Sequence, residues 1–158
     1  MTDDNTAPDP TGFFRDYDEK NRAFKALSAS LHNANKKALF DALEADGITS
    51  VLVSFDGSGD SGQIEEIDAL SGGEPWDFPA GTVAIGRAYW GRSETEQVDC
   101  TVRDAVETLA YAFLEETHAG WENNEGAYGE FAFDVAGRSI TLDYNERVET
   151  SEYTQRLF

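Results

Sequence analysis

The strongest constraint on the fold is a change of apolar period between residues 102 and 144. Val102, Ala105, Val106, Leu109, Ala112 and Phe113 recur at the spacing of one helix face. Beyond Gly129 the period falls to two. Phe131, Phe133 and Val135 alternate with Ala132 and Asp134; Ile140, Leu142 and Tyr144 alternate with Thr141 and Asp143. The turn at Ala136-Gly137 is too short for anything but an antiparallel hairpin. Thr101-Val102-Arg103-Asp104 matches a capping box with Asp in place of Glu, which starts the helix at Thr101. Gly120 is the expected stop, and a protonated His118 would suit the negative helix end.

Upstream, Phe24, Leu27, Leu31, Ala38, Ala42 and Leu43 form a second helical stripe. Asp16 or Asp18 is the expected cap, Gly47 the expected stop, and Asn33 or Asn35 the place where so long a helix would break. Residues 1–15, with Pro8, Pro10 and Gly12, read as a disordered leader ahead of a single domain over 16–158. Ile48 to Phe55 reads as a strand with Val51, Val53 and Phe55 on one face. Gln63 to Leu70 is a second strand, whose Ile64 and Ile67 stand three apart and imply a bulge or a short helical turn. Ser71-Gly72-Gly73-Glu74-Pro75 is a loop signal, and Thr82 to Trp90 a third strand. Helices and strands do not alternate as a parallel doubly wound sheet requires. The expected class is α+β: an antiparallel sheet of four to five strands with two helices packed on one face.

Two segments rich in glycine, carboxylate and amide stand out between these elements. They are Asp56-Gly57-Ser58-Gly59-Asp60-Ser61-Gly62-Gln63-Ile64-Glu65 and His118-Ala119-Gly120-Trp121-Glu122-Asn123-Asn124-Glu125-Gly126. Read as loops held by a scaffold, they are where a site would be built, with Asp56, Ser58, Asp60, Glu65, Trp121, Glu122, Asn123, Asn124 and Glu125 as the candidate binding residues. Asp56-x-Ser58-x-Asp60 opens like a calcium loop, but Ser61 stands where glycine is needed and Ile67 where a bidentate glutamate is needed. A calcium or magnesium site completed by Glu65 or Glu66 with Glu122 or Glu125 is therefore the weaker alternative to a turn in which the aspartates bond their own backbone. No cofactor is expected otherwise. No lysine follows the glycines, which removes a phosphate cradle. Glu122 and Glu125 beside His118 could supply an acid and a base, but a chain with 31 acids offers many such pairs. His118 reads more simply as a helix cap, and Trp121 as a pin for its glycine-rich loop. Asp99 and Asp104 push the thiol of Cys100 away from reactivity.

With Asp143-Tyr144-Asn145-Glu146-Arg147, the two segments resemble a family of small bacterial proteins catalogued as a domain of unknown function. The resemblance covers roughly residues 20–150, with the paired segments as its specific part. It implies bacterial or phage origin and a joint role for these segments, and no activity.

Charge bounds the partners. With 31 acids and 12 bases the chain carries −19, of which residues 48–158 (22 acids, 6 bases) hold −16 and residues 1–47 (9 acids, 6 bases) only −3. Such a field repels nucleic acid and anionic membranes and attracts basic proteins. One cysteine excludes an internal disulfide, no apolar run is long enough to span a membrane, and the N-terminus is unlike a secretory signal, so the cytoplasm is the expected compartment. The expected function is a non-enzymatic protein-binding module, an inhibitor or adaptor whose carboxylates imitate nucleic acid on the basic surface of a nucleic-acid-binding protein. The alternative is a carboxylate- or divalent-metal-dependent enzyme working between the two segments. Acidity as an adaptation to salt is a third reading, and the chain is expected to be a monomer or a homodimer.

Overall fold

The structure, a computed structural model, describes residues 10–158 other than Asp60 and Asn124, and of residues 10–13 the backbone alone. The first helix, α1, runs from Pro10 to Ala45, about 54 Å at 1.5 Å per residue. It begins inside the stretch expected as a leader; residues 1–9 lie outside the described ones. Proline suits a helix start, where its missing N–H loses no bond. Asp16, expected as a cap, instead pairs with Lys20 one turn on (3.2 Å).

The expected break at Asn33 or Asn35 does not occur. Asn35 is 8% exposed, and its side-chain amide spans the backbone of Gly86: Nδ2 donates to the Gly86 carbonyl (3.0 Å) and Oδ1 accepts the Gly86 N–H (2.8 Å). A residue with weak helix propensity is held in place by a tertiary bond. At the other end Gly47 (φ +81°) donates to Glu44 O and Ile48 to Leu43 O, the paired bonds of a Schellman stop, with Leu43 and Ile48 both buried.

Among the described residues seven strands follow: β1 (Ser50–Ser58), β2 (Ser61–Ser71), β3 (Glu74–Trp76), β4 (Thr82–Ala88), β5 (Thr95–Thr101), β6 (Ala127–Asp134) and β7 (Ser139–Glu146). Helix α2 (Val102–Thr117) separates β5 from β6. The fold is α+β. An antiparallel five-stranded sheet has the order β3-β2-β1-β6-β7, and β4-β5 form a separate two-stranded ribbon, so the strand expected at Thr82–Trp90 lies outside the main sheet. Val51, Val53 and Phe55 of β1 and Phe131 and Phe133 of β6 are buried on one sheet face. They join Leu39, Phe40 and Leu43 of α1 and Val106, Leu109 and Leu114 of α2 in a single core, where Phe40 meets Phe133. β4 runs along α1 through the Asn35 bridge. Gly86 packs closely there, since a β-carbon would lie 2.8 Å from the end of the Leu31 side chain, which would have to move aside.

The start of α2 is as expected, with Thr101 Oγ1 accepting the Asp104 N–H (3.1 Å). Its C-cap is His118, two residues before the glycine expected to stop it. The bulge expected in β2 falls at Glu65, where the pairing with β1 slips between Ser54 and Phe55, so that Glu65 and Glu66 are both exposed and Ile64 and Ile67 share the inner side. In the β6–β7 turn the left-handed residue is Arg138 (φ 50°) rather than Gly137, and Arg138 is tied to α1 by Asp41 and Glu44, each at 2.7 Å. No helix among the described residues is long and apolar enough to cross a membrane.

Candidate functional site

Asp56–Glu65 is not a loop. Asp56, Gly57 and Ser58 belong to β1 and Ser61 to Glu65 to β2, paired as Ser58 with Ser61, Gly57 with Gly62 and Asp56 with Gln63. Gly59 (φ +63°) turns the chain, as a tight hairpin requires. The near-palindrome Gly-Ser-Gly-Asp-Ser-Gly is thus a hairpin tip, with matching residues opposite one another. Asp60 lies outside the described residues.

The glycines serve the second segment. Gly62, Gly57 and Ala127 stand side by side on β2, β1 and β6, forming a bed without large side chains on the helix side of the sheet. The indole of Trp121 lies on it. A β-carbon at Gly57 would come within 2.7 Å of the ring, and one at Gly62 within 2.6 Å. Trp121 is 5% exposed and meets Phe55 edge-on at 5.5 Å between centroids. One row further in, Gly129 separates Phe55 from Tyr144, so those rings stack across it at 6.2 Å. His118 in turn stacks on Tyr144 at 3.7 Å. Its N–H closes α2 on Leu114 O (2.7 Å), so it is a cap and a packing surface.

The third segment closes the arrangement. Arg147 donates its backbone N–H to Gly126 O (2.9 Å) and its side chain to Gly57 O (3.0 Å), and grips both Asp56 oxygens at 3.0 Å. Its guanidinium also covers the Tyr128 ring at 4.8 Å. The side-chain bonds to Asp56 hold the Arg147 pKa above its ordinary value. A β-carbon on Gly126 would fall on the Gly57 carbonyl, which explains why that position approaches so closely. Arg147, Gly126 and Ala127 were not read as site residues. The signal for Arg147 was present: it follows the last strand in a segment with few bases.

The candidate residues therefore divide. Asp56 is engaged by Arg147, and Trp121 is buried structure. Ser58 and Glu65 line a shallow depression of about 380 Å³ with Asp56, Ser61, Gly62 and Gln63. Glu122 lies against Gly57 and Gly62, and its Oε2 is buried with no hydrogen-bond partner among the described residues. Asn123 donates its N–H to Gly120 O (2.9 Å) and accepts from Gly126 N at the same distance, while Glu125 is exposed. Asn124 lies outside the described residues. The two segments do meet, but Trp121 fills the space between them. Among the described residues, no three His, Cys, Asp or Glu side chains gather to hold a metal ion.

Elsewhere, burial and then Asp104 push the Cys100 thiol up, and its Sγ–H points to Val83 O (3.8 Å). Burial likewise raises the Tyr144 hydroxyl, with Glu146 and Glu122 adding to the effect.

A model described as a family of unknown function (DUF6878) matches residues 31–158. The chain belongs to this family. The matched region holds the tryptophan bed, the Arg147 clamp and the Asn35 bridge, and leaves out the first part of α1. No curated protein and no solved structure matches the chain.

Proposed function

We propose that this DUF6878 protein is a non-enzymatic, acidic protein-binding module that sets carboxylates against a basic surface, such as the one a partner protein uses for nucleic acid. The observation that carries the proposal is the sheet face turned away from the helices. Glu66, Ser54, Glu130 and Asp143 lie in one row across β2, β1, β6 and β7. Neighbouring strands are about 4.7–4.9 Å apart, and like charges directly opposite one another, as Glu130 and Asp143 are, cost stability. Asp68 and Asp134 lie on the same face, directly opposite Leu52 and Ser50 in the next two rows. Arg147 on that face is committed to Asp56. A basic partner would relieve the crowding and so gain affinity.

The enzyme alternative draws less support, because a substrate between the two segments would need the space the Trp121 ring occupies. The test is affinity capture from lysate of the native host at low salt, with mass-spectrometric identification. It is followed by binding assays on the recovered partner with Glu66→Lys, Glu130→Lys and Asp143→Lys combined. A basic partner, binding that weakens steeply with salt, and loss of binding in the triple variant are expected. Binding indifferent both to salt and to the substitutions sinks the proposal.

A further inference from the structure

Unpaired strand edges invite other strands, and proteins commonly blunt them. Most of the open edges in this molecule are blunted. β3 is three residues long and contains Pro75. Beyond it β2 carries the Glu65 bulge, and the hydroxyl of Tyr111 on α2 accepts the Ile64 N–H (2.9 Å). The edge of β4 is taken by the Asn35 amide. β7 has none of these devices. It is eight residues long, pairs among the described residues with β6 alone and without a register break, and contains neither proline nor lysine.

The bond from Arg147 N–H to Gly126 O sets which way its backbone points. Ser139, Thr141, Asp143 and Asn145 face β6, so the N–H and C=O groups of Ile140, Leu142 and Tyr144 face out of the sheet. The side chains of those three residues are only half-buried. Ile140 and Leu142 line a depression of about 300 Å³ with Phe113, Phe131, His32 and Lys36.

We propose that β7 is the interface of a homodimer, in which two copies pair antiparallel about a two-fold axis at Leu142 and join their sheets edge to edge. The occupant is a second copy because β7 complements itself in one register. With Leu142 opposite its own copy, Ile140 meets Tyr144, Ser139 meets Asn145 and Asp143 meets Thr141. Every apolar side chain then faces an apolar one, and the one charged residue among them faces a hydroxyl. The outward backbone groups of Ile140, Leu142 and Tyr144 find partners, as two-fold antiparallel pairing requires. Moving the axis to Asp143 would set two carboxylates against each other. Moving it to Thr141 would shorten the ladder, because Arg138 at φ 50° ends the extended backbone.

The register makes the test specific. Thr141 is exposed, and in the dimer each copy of it faces Asp143 of the other. Sedimentation equilibrium over a wide concentration range should show a monomer–dimer equilibrium that tightens with salt, because two chains of −19 repel. Thr141→Asp should weaken the dimer and Thr141→Lys tighten it, each by about three- to thirtyfold in Kd, since two cross-strand pairs change together. Thr141→Lys with Asp143→Lys should weaken it again. As a second readout, Leu142→Cys on a Cys100→Ser background should oxidise to a covalent dimer, because hydrogen-bonded antiparallel residues have Cα atoms about 5.5 Å apart, within disulfide range. A chain that stays monomeric at all concentrations and salts overturns the proposal. So does a dimer indifferent to the charge at residue 141, or capture of a foreign extended segment on β7 of a monomer. All these readouts use the isolated protein, so they stand or fall apart from the basic-partner proposal.

Discussion

Gly57, Gly62 and Ala127 matter for what they lack. Their strands run close under the Trp121 ring, and a side chain there would lift it from Phe55 and expose an indole that is 5% accessible. Neither Gly57 nor Gly62 has a positive φ, so alanine would add steric conflict without backbone strain. Gly57→Ala and Gly62→Ala are each expected to cost about 1–3 kcal/mol in denaturant unfolding, the range for overpacking a tight interior. Replacing Trp121 by Leu in the same chain should recover part of the loss. The double-mutant cycle checks it: additive effects would mean the glycines do not serve the ring. Trp121 was legible in the sequence as a pin. The glycine-rich segment reads as a loop because glycine content alone cannot distinguish a turn from a bed. The distinction lay in symmetry, since Gly57 stands two residues before Gly59 and Gly62 two after Asp60, a spacing that makes them neighbours across a hairpin. The Asp56–Arg147 pair spans 91 residues, beyond any spacing rule.

Elements show where local pattern and tertiary contact disagree. α2 and the β6–β7 hairpin were legible because capping, period and turn all agree there. β3 and β5 were not: β3 is three exposed residues, and only Val98 and Cys100 of β5 are even half-buried, so neither shows a clear apolar alternation. α1 runs through Asn33 and Asn35 because a bond to β4, invisible to propensity, rewards Asn35. Asn35→Ala should therefore cost about 1–3 kcal/mol, by leaving the N–H and C=O of buried Gly86 unmatched, although alanine is the better helix former. Amide exchange at Gly86 should quicken in the variant more than at residues on β6; unchanged exchange would place the anchor elsewhere. At the C-terminal part of α1, Lys37 and then Arg138 hold the Asp41 carboxyl below its ordinary value of 3.8. A depressed carboxyl contributes stability above its unfolded pKa and loses it as pH falls through the folded one. The difference in Tm between the parent and Asp41→Asn should thus be present at neutral pH and close as pH drops below 3.8. A gap that persists in acid would show that the tie between α1 and the β6–β7 turn is not ionic.

At the scale of the whole molecule, salt separates the readings of the charge. Lysines occur only in residues 1–47, on or near α1, whereas residues 48–158 carry −16 with six arginines and no lysine. Self-repulsion of this kind weakens the compact state, and screening relieves it once the Debye length falls to about 8 Å, near 0.15 M. Two outcomes are then distinguishable. If the acidity adapts the protein to brine, the chain should be unfolded at low ionic strength and fold only as salt is added. If the acidity serves a partner, the buried core shared by α1, α2 and the sheet must hold the fold without salt. We expect the second: cooperative thermal unfolding at low salt, with Tm rising modestly and then levelling as salt increases. Circular dichroism across a salt series decides it, and loss of folded signal at low salt would transfer the acidity from function to habitat. Because the same salt that stabilises the fold and tightens a β7-paired dimer should weaken a charge-driven complex with a basic partner, opposite slopes in one titration would assign the carboxylates to recognition and the β7 edge to assembly.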